Sequence, residues 1–282
     1  MFVALQYLLP HHRLCQLAYA LTRSETRWLK DRLIGAFVRS YRPDMSDALE
    51  PDPLAYPSFN AFFTRALRPG ARPADADARA ILSPCDGTVS VAGHIEGSRL
   101  LQAKGHEYSL EALLAGRSDW AARLEGGSFA TLYLAPHNYH RVHMPLAGRL
   151  SAAWHVPGRL FSVNARTARR VPSLFARNER VVCAFKGEHG PFVVILVGAL
   201  FVGSMSTVWH GEVTPAGVRR GVRTLEAATD SELRLARGAE LGRFNMGSTV
   251  ILLLPPGAAR WDASLQPGLP LRVGQRIGTL ES

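Results

Sequence analysis

From Ile81 onward the apolar residues come in short or alternating runs, each closed by glycine or proline: "ILSPCDGTVSVAG", "SFATLYLAP", "GRLSAAWHVPG", "ERVVCAFKG", "GPFVVILVGALFVGSM" and "STVILLLPPG". Runs of that length and punctuation are strands. They commit most of the chain to a β-rich core, with "YSLEALLAG" as a lone helix ending at Gly116. There is no internal repeat, no low-complexity segment, no G-x-G-x-x-G fingerprint and no P-loop.

Before Ile81 the pattern is helical. "RLCQLAYALTR" predicts one short helix and "SETRWLKDRLIGAFVRSYRP" a longer one, with Ser24 as N-cap and Pro43 as stop. Leu29, Leu33, Phe37 and Tyr41 recur every four residues, with Ile34 and Val38 beside them, and form one apolar stripe among arginines. "LEPDPLAYPS" is a turn region, and "FNAFFTRALRPGARP" predicts a short helix running to Pro69-Gly70. The expected class is α+β, a β-rich catalytic core with N-terminal amphipathic helices. Residues 1–72 would form the helical, membrane-docking region and residues 73–282 the core.

The chain has 282 residues, 47% of them hydrophobic, enough for one large domain with an appendage. Its balance of 33 basic to 23 acidic residues gives a formal charge of +10, nearly all of it from arginine. Such a surface suits an anionic partner, nucleic acid or anionic lipid. Cys15, Cys85 and Cys183 are odd in number and widely spaced, so neither a disulfide framework nor a cysteine zinc site is expected. The longest apolar run, Phe192 to Val202, is too short to span a bilayer. "MFVALQYLLPHHR" lacks the basic start of a signal peptide, so the protein is expected to face the cytosol.

Three places carry chemistry. Asp86 in "SPCDG" leaves a strand beside Gly87, where an ordinary turn aspartate would also stand. His137, His140 and His143 fall three apart in "YLAPHNYHRVHMP". No H-E-x-x-H completes a zinc set, and a histidine acid or base fits better because its pKa lies near working pH. Gly247-Ser248-Thr249 opens the aliphatic run Val250–Leu254. Asp86, His143 and Ser248 could form an acid–base–nucleophile set. The G-x-S-x-G of ordinary esterases is absent around Ser248.

"NMGSTV" resembles the (L/V)GST cleavage motif of the phosphatidylserine decarboxylase proenzymes. "SFNAFFTRALRPGARP", "SPCDGTVS", "LLQAKGHEYSLEALLAG", "YHRVHMPLAGRL", "VPGRLFSVN" and "GRFNMGSTV" resemble the same family, in its order, from Ser58 to Leu253. Met246 replaces an aliphatic, Cys85 stands where alanine is usual, and Asn245 where a basic residue is common. The resemblance implies a precursor that cuts itself between Gly247 and Ser248 into a β chain, 1–247, and an α chain, 248–282. Ser248 would attack the Gly247 carbonyl and end as a covalent pyruvoyl group, the cofactor and the Schiff-base site. His143 would be the base and Asp86 its orienter. His140 would donate a proton in decarboxylation, and Thr249 would support the cleavage. A glycine at 247 leaves the attack uncrowded and tolerates a strained backbone.

The pyruvoyl ketone is the electron sink that loss of CO2 from an amino acid requires. It would convert phosphatidylserine to phosphatidylethanolamine without a metal. The implied partner is an anionic phospholipid membrane rather than nucleic acid. The two chains would stay together, and the protein would sit peripherally on the cytoplasmic side of the cell membrane, on the face of Leu29, Leu33 and Phe37. Three rivals predict otherwise: a pyridoxal-phosphate enzyme using Lys104, a lipid-binding module with an intact chain, and a serine hydrolase with Ser248 left internal.

Overall fold

The computed structural model describes residues 2–103, 106–201, 204–213, 221–225 and 233–281. Lys104 lies outside the described residues.

Helices come first: Phe2–Leu8, His11–Thr22, Arg27–Tyr41 and the short Phe59–Phe63. The longest begins later than the sequence suggests. Its N-cap is Thr26, and Ser24 instead accepts a hydrogen bond from the Thr26 N–H at 3.3 Å. The Phe59–Phe63 helix is capped by Ser58 and ends at Thr64, well short of Pro69. "YSLEALLAG" supplies only Leu110–Leu113, and it is not alone, since Ser118–Leu124, Ala165–Ala168 and Leu174–Arg177 are also helical. Gly116 does take the left-handed turn after it, at φ +81°.

The core is a nine-stranded antiparallel sheet. From one edge, Arg223–Thr224 and Arg234–Leu235 both pair with Gly148–Val156. Arg180–Gly187, Gly190–Val197, Thr249–Leu254, Ser128–Tyr133, Gly87–His94 and Pro270–Leu271 follow in that order. Thr249–Leu254 is therefore an interior strand, and every one of its residues is buried. An uninterrupted Val-Ile-Leu-Leu-Leu run suits a strand covered on both faces, where alternation is unnecessary. A four-stranded sheet runs Gly211–Val213, Met205–Thr207, Glu240–Phe244, Arg141–His143, and a three-stranded one runs Ala80–Leu82, Arg276–Leu280, Ala259–Trp261.

Two chain crossings set the position of the site. Ser128–Tyr133 belongs to the large sheet and Arg141–His143 to the four-stranded one. Glu240–Phe244 belongs to the four-stranded sheet and Thr249–Leu254 to the large one. The partners pair at both ends, so residues 134–140 and 245–248 cross between sheets side by side. Backbone bonds tie the crossings together: Leu134 N–H donates to the Ser248 carbonyl at 2.9 Å, and Phe244 N–H to the His140 carbonyl at 3.0 Å.

The stripe on Arg27–Tyr41 faces inward. Ile34 is fully buried with Phe59, Phe62 and Phe63, and Leu33, Phe37 and Val38 pack on that cluster. Phe37 meets Phe59, Phe62 and Phe63 edge-on, at centroid separations of 5.3 to 5.8 Å. This corrects the expectation that Leu33 and Phe37 form a lipid-facing surface; the Phe59–Phe63 helix covers them first. Among the described residues, the large apolar side chains left exposed on the α-helices are Tyr7, Leu8, Leu17, Leu21, Trp28 and Tyr41.

Candidate active site

Ser248 lies at the end of the second crossing, one residue before the central strand. It is 1% exposed, and its hydroxyl has no hydrogen-bond partner. The Thr249 hydroxyl beside it is also buried and unpartnered. Buried polar atoms without partners are uncommon in folded proteins, and one explanation for such an atom is a catalytic role.

The first crossing brings His140 against this point. A Cβ placed on Gly247 would lie 3.3 Å from His140 Nε2. Glycine is thus what allows the imidazole to approach the peptide so closely. Gly247 does not take a left-handed φ. His140 is fully buried, and its ring lies against Phe63 at a centroid distance of 4.1 Å. Its Nδ1 bonds to the Asn138 carbonyl at 2.8 Å, so Nδ1 carries the proton. Nε2 is left as a bare acceptor with no partner. Burial drives its pKa down from 6.5 to about 3, the Asn138 bond opposes this, and the Arg65 charge adds to it. His140 is therefore neutral at working pH.

His143 stands further along, in the Arg141–His143 strand. Its Nδ1 bonds to the Gly238 carbonyl at 2.8 Å and its Nε2 to the Tyr139 hydroxyl at 3.1 Å. Burial raises the Tyr139 pKa, so the phenol stays protonated and donates to Nε2. Burial also lowers the His143 pKa, opposed by the Gly238 bond and by the Glu240 and Asp86 charges.

Asp86 comes close through the backbone, since His143 N–H donates to the Pro84 carbonyl at 2.7 Å. Its carboxylate, however, is engaged elsewhere. Arg72 grips it with Nε at 3.0 Å and Nη2 at 2.7 Å, and Val273 N–H donates to it at 2.8 Å. The structure thus brings Gly247, Ser248, Thr249 and His140 together. It places His143 and Asp86 near each other but shows no hydrogen bond joining Asp86, His143 and Ser248. Gly87 follows Asp86 for a reason of space: a Cβ there would lie 2.5 Å from the Tyr133 carbonyl oxygen.

Sequence reasoning missed four contributors. Arg72 also reaches Asp47 at 2.7 Å, and these carboxylates more than offset its burial, so its pKa is raised. Phe63 supports the His140 ring, Tyr139 occupies His143, and the 3%-exposed Arg65 donates to the His137 carbonyl at 3.3 Å. Phe63, Arg65 and Arg72 all sit in "FFTRALRPGARP". The signal there was an arginine in a run of phenylalanines, which a surface helix does not need.

A cavity of ≈ 310 Å³ opens onto the Gly247–Ser248 peptide, and Phe37, Tyr41, Phe63, Phe201 and Met246 line it. Tyr41 and Phe201 are about half exposed and mark its mouth. The N-terminal helices border it: Gln6 accepts from Ser162 N–H at 2.8 Å, and Ser162 lines the cavity.

A family model described as phosphatidylserine decarboxylase matches residues 59–279, and a second, described as PSD, matches residues 1–42. The chain is 52% identical over 281 residues to the phosphatidylserine decarboxylase proenzyme of Ectopseudomonas mendocina (strain ymp), covering 100% of this chain and 98% of that protein. It is 53% identical over 278 residues to the proenzyme of that name from Azotobacter vinelandii, covering 99% and 97%. The corresponding protein of Bordetella pertussis is 52% identical over 279 residues, covering 98% and 93%.

Proposed function

The chain belongs to the phosphatidylserine decarboxylase family, and on that premise we propose that it cuts itself between Gly247 and Ser248 and then makes phosphatidylethanolamine from phosphatidylserine. The observation that carries this is the buried, unpartnered Ser248 hydroxyl beside a glycine packed against the free Nε2 of a neutral histidine.

In the first stage Ser248 Oγ attacks the Gly247 carbonyl carbon as a base takes the hydroxyl proton. The Gly247–Ser248 amide breaks, its nitrogen takes a proton, and an ester joins the two residues. Removal of the Ser248 Cα proton expels the Gly247 carboxylate and leaves a dehydroalanine. Water then replaces its nitrogen, releasing ammonia and leaving a pyruvoyl group at residue 248. His143 is the base of this stage, with Nδ1 held by the Gly238 carbonyl and the Asp86 charge favouring its protonated form, which requires His143 Nε2 to exchange Tyr139 for Ser248. Such a base is worth about 10²–10⁴ in rate. Thr249, with its hydroxyl also free, supports the displaced ester.

The site fits that group: residue 248 is sealed from water, its carbonyl is fixed by Leu134 N–H, and an apolar cavity leads to it. The pyruvoyl ketone supplies the electron sink for loss of CO2. With the substrate's carboxylate beside it, His140 takes up a proton at Nε2 and delivers it to the carbon that has lost CO2. A neutral imidazole with Nδ1–H already committed suits that order, acceptance before donation.

The substrate reaches the cavity from a bilayer. Leu8, Leu17, Leu21 and Trp28 are exposed on the helices bordering it, and the net charge of +10 attracts anionic headgroups. No described helix is long and apolar enough to cross a membrane. The protein docks peripherally on the cytoplasmic face of the cell membrane.

A denaturing mass spectrum tests the first stage. Two chains are expected, the smaller one blocked and about 17 Da lighter than its serine form, as exchange of an amine for a ketone requires. Ser248→Ala should stay one chain and be inactive. An uncut wild-type chain with Ser248 in its peptide map, active on liposomes, would sink the reading. Labelling of internal Ser248 by a fluorophosphonate would point to a hydrolase instead.

A further inference from the structure

Asn245 lies two residues upstream of Gly247 and is buried. Its backbone N–H donates to the Ser204 carbonyl at 3.0 Å. Its side-chain amide reaches Ser204 Oγ at 2.7 Å, Ser206 Oγ at 3.2 Å and Glu212 Oε1 at 3.2 Å. Glu212 gathers more than this amide. The Ser204 hydroxyl and the Arg23 guanidinium both bond to Oε1, and the Tyr19 hydroxyl donates to Oε2 at 3.2 Å. Arg23 also donates to Ser204 Oγ at 3.0 Å, and its guanidinium stacks on Tyr19 at 3.6 Å. Asn245 carries no charge, so the cation that balances Glu212 comes from the helix His11–Thr22 and its cap.

The second crossing is therefore pinned at two points. Asn245 is held by this cluster, and the Ser248 carbonyl is held by Leu134 N–H. Only Met246 and Gly247 lie between. A shift of Asn245 is passed through these two residues to the Gly247 carbonyl, the group Ser248 must attack. Displacements of about 1 Å can cost a reaction about a hundredfold in rate.

We infer that Glu212, charged against Arg23, is a positioning residue for self-cleavage: it clamps Asn245 and so holds the Gly247 carbonyl in reach of Ser248 Oγ. The inference rests on the self-processing reading. It also carries a distinctive consequence. Once the peptide is cut, Asn245 and residue 248 are on different chains, and the clamp no longer acts on the reacting group.

The test compares full-length wild type with Arg23→Gln, Glu212→Gln and the charge-swapped pair Arg23→Glu/Glu212→Arg. Each is made by pulse-labelled cell-free synthesis, and conversion to two chains is followed on denaturing gels. Turnover is then measured per mature carbonyl. Each single variant should split at least about tenfold more slowly. Turnover per mature centre should stay within about twofold of wild type, and the swapped pair should recover part of the splitting rate. Melting of each variant in a Ser248→Ala background separates slow splitting from failure to fold, and Arg23→Gln, at a partly exposed site, serves if Glu212→Gln does not fold.

Splitting within about twofold of wild type in both single variants would overturn the clamp. So would a parallel loss of splitting and of turnover per centre, which marks a general structural lesion. A wild-type chain that never splits would overturn the self-processing reading and the clamp with it.

Discussion

At the scale of single residues, the two histidines are distinguished by what their Nε2 atoms meet. His140 Nε2 lies against Gly247 without a hydrogen-bond partner, while His143 Nε2 is bonded to Tyr139. His143→Ala is expected to leave the chain largely uncut, with a loss of about 10²-fold or more in splitting rate. His140→Ala is expected to be cut yet to release CO2 at least about 10²-fold more slowly. Gel mobility and CO2 release read the two steps separately, and a reversed pattern would exchange the roles. His140 also bears on stability. Its folded pKa, about 3, lies below the unfolded value of 6.5. Below pH 6.5 the unfolded chain binds a proton that the folded chain refuses, so stability present above that pH is lost as pH falls toward 3. The Ser248→Ala precursor should melt at a lower temperature at pH ~4.5 than at pH ~7, and His140→Gln should reduce the difference. Cys85, fully buried with its thiol pKa raised by burial, fills an apolar position and needs no chemistry.

At the scale of elements, the Arg27–Tyr41 helix holds the site from behind. Its inward stripe packs on the Phe59–Phe63 helix, and Phe63 in turn packs on His140. Phe37→Ala should destabilise the protein by about 2 kcal/mol, toward the low side for a large-to-small change because Phe37 is only half buried. That corresponds to a melting temperature about 5 °C lower. Leu17 and Trp28 are different, at 59% and 63% exposed. Leu17→Glu with Trp28→Glu should leave the melting temperature nearly unchanged and weaken sedimentation with anionic vesicles by at least about tenfold, because the loss is of interfacial apolar area rather than of core. Unchanged sedimentation would count against docking through these helices.

At the scale of the whole molecule, the proposed cut falls at the edge of an interior strand of the core. Thr249–Leu254 pairs with Gly190–Val197 on one side and Ser128–Tyr133 on the other. Arg276–Leu280 lies between Ala80–Leu82 and Ala259–Trp261, Pro270–Leu271 pairs with Gly87–His94, and Val273 N–H bonds to Asp86. Removing residues 248–282 would open two strand edges inside the sheet and uncover a fully apolar strand face, both strongly unfavourable in water. The two chains should co-elute on size exclusion without denaturant and separate only when the fold is lost. Recovery of a soluble, folded 1–247 piece by itself would contradict this.

Much of this was open to sequence reasoning because it depends on local chemistry. Strands such as Ser128–Tyr133 and Arg180–Gly187 follow from β-favouring runs closed by glycine or proline, and Gly247-Ser248 stands out because a glycine and a hydroxyl are poor openings for a buried strand. The direction of the Leu33–Phe37 stripe was not local. An amphipathic helix turns its apolar face to whatever covers it, and periodicity does not say whether that is lipid or the Phe59–Phe63 helix. The choice of histidine was not local either. His140 and His143 look alike in "YHRVH", and only the pairing of two strands in one sheet and two in another laid residues 134–140 along 245–248 and put one imidazole, not both, on the Gly247 peptide. Composition and pattern determined the elements and the candidate dipeptide Gly247-Ser248; contacts between segments distant in sequence, Leu33 and Phe37 with Phe59–Phe63 and His140 with Gly247, decided what each element faces.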